Sequence, residues 1–573
     1  MAKLPAGTKI LSLLTGALAA LTLALDASAA PASLSPRRPE PAASFAGNYL
    51  AARNAQRAKD ARAEAVFLRE SHNREPKDGA LLMGAFNASL ASGDIEEGVT
   101  LANRILIVDP ANPLARFVVG VRSMRAGRCD EARRDLSRAA RGPLEIPAIT
   151  LTAWCWLAEG GADQALELLD RVSDERAGGF RDYHAALIAE SRGYTYEARK
   201  RLRAIYQADP KIMRTVDAWG RFLSRTGQYD QAREVFTTFN AQFPGNPIIM
   251  AALRDLEAGR LLTAVAPDPL AGAAEALYGL GAAGVTQPDP TNALIFMRLA
   301  VYLSPDHSLA WTSIGDINAR VRQPERAIEA YSAIPADSPL RSIADSQTAL
   351  LLQSMEKPAE AIALITSAIA ARPDDLRAAE TLADLYRGQK NWAEAATAYG
   401  KGIEMIGEPK AGDWRWFYFR GISFERSKRW PLAEADFKKA LELNPDQPQV
   451  LNYLAYTWAD QGVNLEQARE MLEKATKLAA RDGHIVDSLG WAYYRLGRYE
   501  DAERELERAI LMTPAEAVVN EHLGDVYWKL GRKREAVFKW GHALALNPEP
   551  EEIERIKIKL KEAADLSAAS GPL

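Results

Sequence analysis

The fold is decided by DSLGWAYYRLGRYEDAERELERAILMTP, residues 487–514, and by its partner EHLGDVYWKLGRKREAVFKWGHALALNP, residues 521–548. The two segments share one skeleton. Gly490 and Gly524 are followed twelve residues later by Ala502 and Ala536, and twelve further on by Pro514 and Pro548. Working outward, Gly120, Gly220, Gly281, Gly315 and Gly421 are answered at the same distance by Ala132, Ala232, Ala293, Ala327 and Ala433. Pro244, Pro305, Pro339 and Pro445 close four of these five units. The small-residue column also takes in Gly98, Ala165, Ala198, Ala361, Ala395 and Ala468. Its steps are 33 to 35 residues, except one of 61 and one of 38. A period held over more than 400 residues marks a repeat array.

Each unit reads as two antiparallel helices. Val486, Leu489, Tyr493 and Leu496 fall at helical spacing, and Leu496-Gly497-Arg498 makes a short turn. A small residue is needed where two helices cross closely, and the alanine twelve on reads as the facing residue. A second small residue seven later (Ala139, Ala300, Ala440, Ala509, Ala543) fits against the next unit. Proline ends the second helix, because it cannot extend one and biases the preceding residue away from helix. No strand-like alternation is sustained, so the class is all-α. Such an array is expected to draw its stability from many neighbour terms rather than one core.

Segments 487–514 and 521–548 resemble tetratricopeptide repeats. The resemblance covers nearly all of the chain after residue 45 and is strongest over 290–548. It implies a right-handed α-solenoid of helix pairs. The first helix of each pair would line a concave face that takes a peptide, a protein segment or another repeat protein. VLNYLAYTWADQGVNLEQA, residues 450–468, with the two repeats after it, is similar to long exported proteins of this kind in proteobacteria. Some of those are adaptors of carboxy-terminal processing proteases that control cell-wall hydrolases. The expectation is therefore an exported scaffold or adaptor, acting in cell-envelope protein turnover or assembly, with an envelope protease or its substrates as partners. The alternative is an assembly platform of an envelope polysaccharide export or synthesis complex.

The organisation follows from the same columns. Lys3 and Lys9 precede an apolar run from Ile10 to Leu25, and Ala27-Ser28-Ala29 is a cleavage-like pattern, so 1–29 reads as a signal peptide. The body is then placed in the periplasm, or on the inner membrane with a periplasmic body if the leader is retained; membrane contact follows only in the second case. Residues 30–44 are a Pro-rich spacer. An N-terminal sub-array with a degenerate first unit spans 45–260, an irregular break 261–290, and a C-terminal sub-array 291–549. Residues 550–566 form a capping helix and 567–573 a flexible tail.

Composition excludes other functions. With 71 Lys+Arg against 75 Asp+Glu in 573 residues, there is no basic footprint for nucleic acid. Gly279, Gly281 and Gly284 form a GxGxxG, but on an Ala-rich helical stretch rather than between a strand and a helix, so no dinucleotide is expected. The six His make no ligand cluster at short spacing. Neither a catalytic residue, a cofactor, a metal nor a small-molecule substrate is expected. Cys129 and Cys155, the two cysteines, lie in neighbouring helices; they are a candidate disulfide or two buried small residues.

The candidate binding surface is the face of each first helix opposite the Gly/Ala contact. It comprises Arg415, Tyr418 and Arg426, then Asn452, Tyr453 and Tyr456, then Asp487, Trp491, Tyr494 and Arg495, and finally Glu521, Asp525, Trp528 and Lys529. Seven of the twelve Trp follow residue 413, and aromatics interleaved with charge suit protein recognition. Trp416, Trp430, Trp458 and Trp540 read as structural. Met83, Phe117, Val121, Met124 and Leu187 give the N-terminal sub-array a more apolar lining, with Arg221 and Arg225 near its end. That lining is either a second groove or the surface on which the two sub-arrays close.

Overall fold

A computed structural model describes residues 39–174 and 177–570. The signal-like segment, most of the spacer and residues 571–573 lie outside the described residues. Among the described residues, thirty α-helices form fourteen antiparallel pairs, one unpaired helix, Pro247–Glu257, and a closing helix, Pro550–Ser570. No strand occurs among the described residues, and none of their helices is long and apolar enough to cross a membrane. The architecture is an α-solenoid.

The crossing rule is sharper than sequence suggested. A Cβ built on Gly490 would lie 2.6 Å from Leu506 Cγ, and one on Gly524 would lie 2.5 Å from Trp540 Cδ1. The same clash recurs at Gly120 with Leu136, Gly220 with Phe236, Gly315 with Tyr331 and Gly421 with Phe437. The side chain facing each glycine is therefore the large residue sixteen positions on, not the alanine twelve on. The alanine sits buried beside it and brings its backbone carbonyl close, as Ala502 O does at 3.3 Å from the Gly490 position.

The turn within most pairs holds a residue in the left-handed region. Gly497, at φ 77°, sits there while the Arg498 amide donates to Tyr493 O at 2.9 Å, satisfying the end of the first helix. In other pairs the same place is taken by a side-chain-bearing residue, including Lys59, Arg322, Lys390 and Lys428.

Two expectations need correction. The stretch 261–290 is not simply an irregular break: Pro269–Ala282 is a helix, paired with Thr291–Leu303. The closing helix runs on through Ser570 rather than ending at 566. The described end of the spacer is tied down, because Asn48 Nδ2 donates to Ala42 O at 2.9 Å and Arg74 Nη1 donates to Ala43 O at 2.7 Å.

The hairpin 269–303 decides the role of the apolar N-terminal lining. Its helices lie inside the N-terminal superhelix as a plug, the first against Glu145–Ala158 and the second against Gly79–Ser92. Trp154 is fully buried, and a Cβ on Gly272 would fall 2.2 Å from its ring. Phe296 meets Phe117 edge-on at 6.2 Å, and Arg125 lies 4.1 Å over the Tyr302 ring. The first unit reaches across to the same region: Arg62 pairs with Glu329 at 3.3 Å and Lys59 with Asp289 at 3.5 Å. One continuous apolar core thus runs from Ala52 to Ala330. The picture of a purely neighbour-to-neighbour array fails for this part of the chain.

A buried polar knot pins the plug. The Glu275 carboxylate is 4% exposed and accepts from Arg214 Nε at 2.8 Å, Arg214 Nη2 at 2.7 Å and Tyr183 OH at 3.0 Å. His307 Nε2 stands 3.3 Å away, and Arg214 also donates to Asp217. Burial opposes the charge on Glu275, but the Arg214 guanidinium and these hydrogen bonds outweigh it and hold the carboxyl well below the usual range.

Candidate functional site

The C-terminal units keep an open concave face. It is built by first helices Trp414–Arg426, Pro448–Gln461, Gly483–Arg495 and Ala517–Lys529, with Pro550–Ser570 in the place of a further one. Residues one unit apart stand beside each other along this face. Asp487 meets His522 across 35 positions, Glu521 meets Arg555 across 34, and Asp525 meets Lys559 across 34.

This ladder consumes the acidic residues of the expected surface. Asp487 is buried and lies 3.0 Å from His522 Nδ1. Glu521, 1% exposed, accepts from both Arg555 nitrogens at 2.6 and 2.7 Å and from Lys559 at 2.7 Å. Asp525 accepts from Trp540 Nε1 at 2.9 Å and from Lys559. Three carboxylates in one wall would repel; these cations make the wall stable. Burial works against a charge on His522, but the neighbouring Asp487 carboxylate prevails and raises its pKa above 6.5.

The aromatics divide into two groups. Trp491 stacks on His522 at 4.1 Å and on Tyr494 at 4.8 Å, both nearly parallel. Tyr456 stands 6.4 Å from His522 on the other side. The four rings run continuously across three helices, with Tyr456, Trp491 and Tyr494 half-buried and His522 buried among them. Trp528 instead leans on Trp540 at 5.3 Å, with Lys533 Nζ 3.6 Å over its ring. Tyr418 and Tyr453 meet edge-on at 6.3 Å, and the Tyr453 hydroxyl donates to Glu425 at 3.0 Å. Trp416, Trp458 and Trp540 are buried and Trp430 is half-buried.

Two polar atoms on this face have no protein partner: Trp491 Nε1, a donor, and Asn452 Oδ1, an acceptor. Arg415, Arg426 and Lys529 are exposed. Arg495 is drawn back, donating to Asp460 O. His522 falls in the same helical stripe as Glu521 and Asp525, but Arg555 and Lys559 were not expected here. The signal that would have found them is opposite charge at positions one repeat apart in the same column.

Cys129 and Cys155 are buried free thiols in contact with each other. Glycines 279–284 lie at the end of the plug helix, where Gly281 packs on Met297 and the Ala293 carbonyl rather than opening a helix. Among the described residues, no group of three or more His, Cys, Asp or Glu gathers in a way that could hold a metal.

Comparison with known proteins agrees with the repeat reading. The tetratricopeptide repeat family model matches residues 347–408, 413–483 and 488–549. A TPR repeat-containing protein of Pseudomonas aeruginosa is 29% identical over 196 residues, covering 33% of this chain and 32% of that protein. The match thus spans about a third of that relative's length. Among solved structures, a tetratricopeptide repeat protein from Parabacteroides merdae aligns at TM-score 0.36 with 19% identity, covering 44% of this chain and 97% of its own. The Cut9–Hcn1 structure aligns at TM-score 0.36 with 14% identity, covering 91% and 96%.

Proposed function

We propose that this chain, which carries tetratricopeptide repeats and is therefore a protein-binding scaffold, holds an extended protein segment against the Tyr494–Trp491–His522–Tyr456 wall of its C-terminal groove, without chemistry of its own. One observation carries this reading. Trp491 Nε1 and Asn452 Oδ1 are a shielded donor and a shielded acceptor with nothing to bond, on neighbouring first helices of one face. A buried polar atom left unpaired costs about 1–3 kcal/mol. An extended peptide offers a carbonyl and an amide at every residue, and so satisfies both atoms while its side chains lie on the rings. Exposed Arg415, Arg426 and Lys529 along the same face favour acidic side chains in that segment.

The place of work we assign is the periplasm, supported by the leader pattern of 1–29. A part in envelope protein turnover, beside a protease or its substrates, is supported by the resemblance of 450–468 to exported adaptors. Selection of displayed peptides on the immobilised chain tests the groove. Acidic-aromatic peptides should be enriched by the native chain and lost with Trp491→Ala. Equal enrichment on both would sink the groove assignment.

A further inference from the structure

The N-terminal wall around the plug contains a second feature, unrelated to the groove. The two cysteines of the chain meet there. Cys129 opens the helix Cys129–Ala139, and Cys155 lies in the helix Glu145–Ala158 that packs against it. The two thiols face each other as side-chain neighbours across this helix contact. Both are buried: Cys129 is 6% exposed and Cys155 fully enclosed. A bridge needs Cα atoms about 4.4–6.8 Å apart, a spacing that directly packed helices offer.

We propose that Cys129 and Cys155 are a dithiol–disulfide couple, oxidised by a small disulfide to an intramolecular bridge that staples the third helix pair to the fourth. The roles of the two sulfurs differ. Cys129 stands at a helix N-terminus, and the neighbouring Cys155 thiol, with Arg133 nearby, lowers its pKa. The neighbouring Cys129 and burial push the Cys155 thiol up. Cys129 is also the one with residual exposure, on a first turn that opens more readily than a helix centre. It is therefore the attacking sulfur and Cys155 the resolving one.

With oxidised glutathione the steps balance. The Cys129 thiolate attacks one glutathione sulfur, forming a mixed disulfide and expelling one glutathione thiolate. Cys155 gives up its proton and attacks the Cys129 sulfur, forming the protein disulfide and expelling the second glutathione. Two protein thiols are oxidised by two electrons, and one glutathione disulfide is reduced to two thiols. The staple would lie next to Trp154, the residue that seats the plug at Gly272. Oxidation would therefore stiffen the wall that holds the hairpin 269–303.

The test is intact mass measurement of the full chain after exposure to oxidised glutathione, then denaturation and alkylation. The oxidised chain should lose the mass of two hydrogens and take up no alkylating agent, whereas the dithiothreitol-treated chain takes up two equivalents. Cys155→Ser should stop at a glutathione adduct on Cys129. Cys129→Ser should react about tenfold more slowly, because the remaining thiol is fully enclosed. A native chain that keeps a stable glutathione adduct, or remains fully alkylatable, would overturn the proposal. That measurement needs no variant, so misfolding of either variant leaves it decisive.

Discussion

Arg214 grips Glu275 with two hydrogen bonds, at 2.8 and 2.7 Å, across 61 residues of sequence, and both groups lie inside the N-terminal superhelix. Removing one partner strands the other. Glu275→Ala should cost about 3–5 kcal/mol. Hydrogen exchange should locate the loss: amides of 269–303 should lose protection while those of 448–545 keep theirs. Uniform loss along the chain would show that the plug is not a separate unit.

The same carboxylate makes the plug acid-sensitive. The pKa of Glu275 is lowered from 4.5 in the folded chain, so its contribution is present above about 4.5 and lost as pH falls through the folded value. Stability of the native chain should therefore fall at low pH more steeply than that of Glu275→Gln, followed by urea unfolding at several pH values.

His522 has the opposite sign. Its pKa is raised above 6.5 by Asp487, so the pair's contribution is complete below about 6.5 and lost as pH rises through the folded value. His522→Gln should flatten this alkaline loss. Proton NMR titration of the imidazole checks it directly; a pKa at or below 6.5 would refute the coupling.

Trp491 and Trp528 separate the groove from its support. Trp491→Ala should weaken peptide capture by about 2 kcal/mol, roughly thirtyfold. Its effect on melting should be small, because its N–H is already unpaired. Trp528→Ala, which removes a contact with buried Trp540, should lower the melting temperature and spare capture. Calorimetry with a selected peptide decides, and reversed effects would place the site elsewhere.

Backbone geometry offers two controls. Gly490→Val places methyls where Leu506 already sits, and should cost about 1–3 kcal/mol. Lys428→Gly should stabilise by about 1 kcal/mol, because lysine there occupies a left-handed conformation at φ 60°. Urea midpoints measure both.

The repeat was legible because its cause is local and recurs. Each close crossing demands a small residue and each helix end a stop, so Gly490, Ala502 and Pro514 reappear one unit later as Gly524, Ala536 and Pro548. The aromatic weight of the C-terminal face was legible for the same reason. What the acidic members do was not: Asp487, Glu521 and Asp525 look free in a helical stripe, and their partners are one repeat away.

By itself the sequence determined the helix pairs and their period, since both depend on contacts within about one period. Only the tertiary structure decided that the middle of the apparent break, Pro269–Ala282, folds into a plug. Gly272 has no meaning until Trp154 stands over it, and Tyr302 none until Glu96 accepts its hydroxyl from 206 residues away. The physical reason is curvature. A period sets how each pair sits on the next, but the superhelix must be built before it has an interior, and only then can a distant hairpin find the surface that buries it.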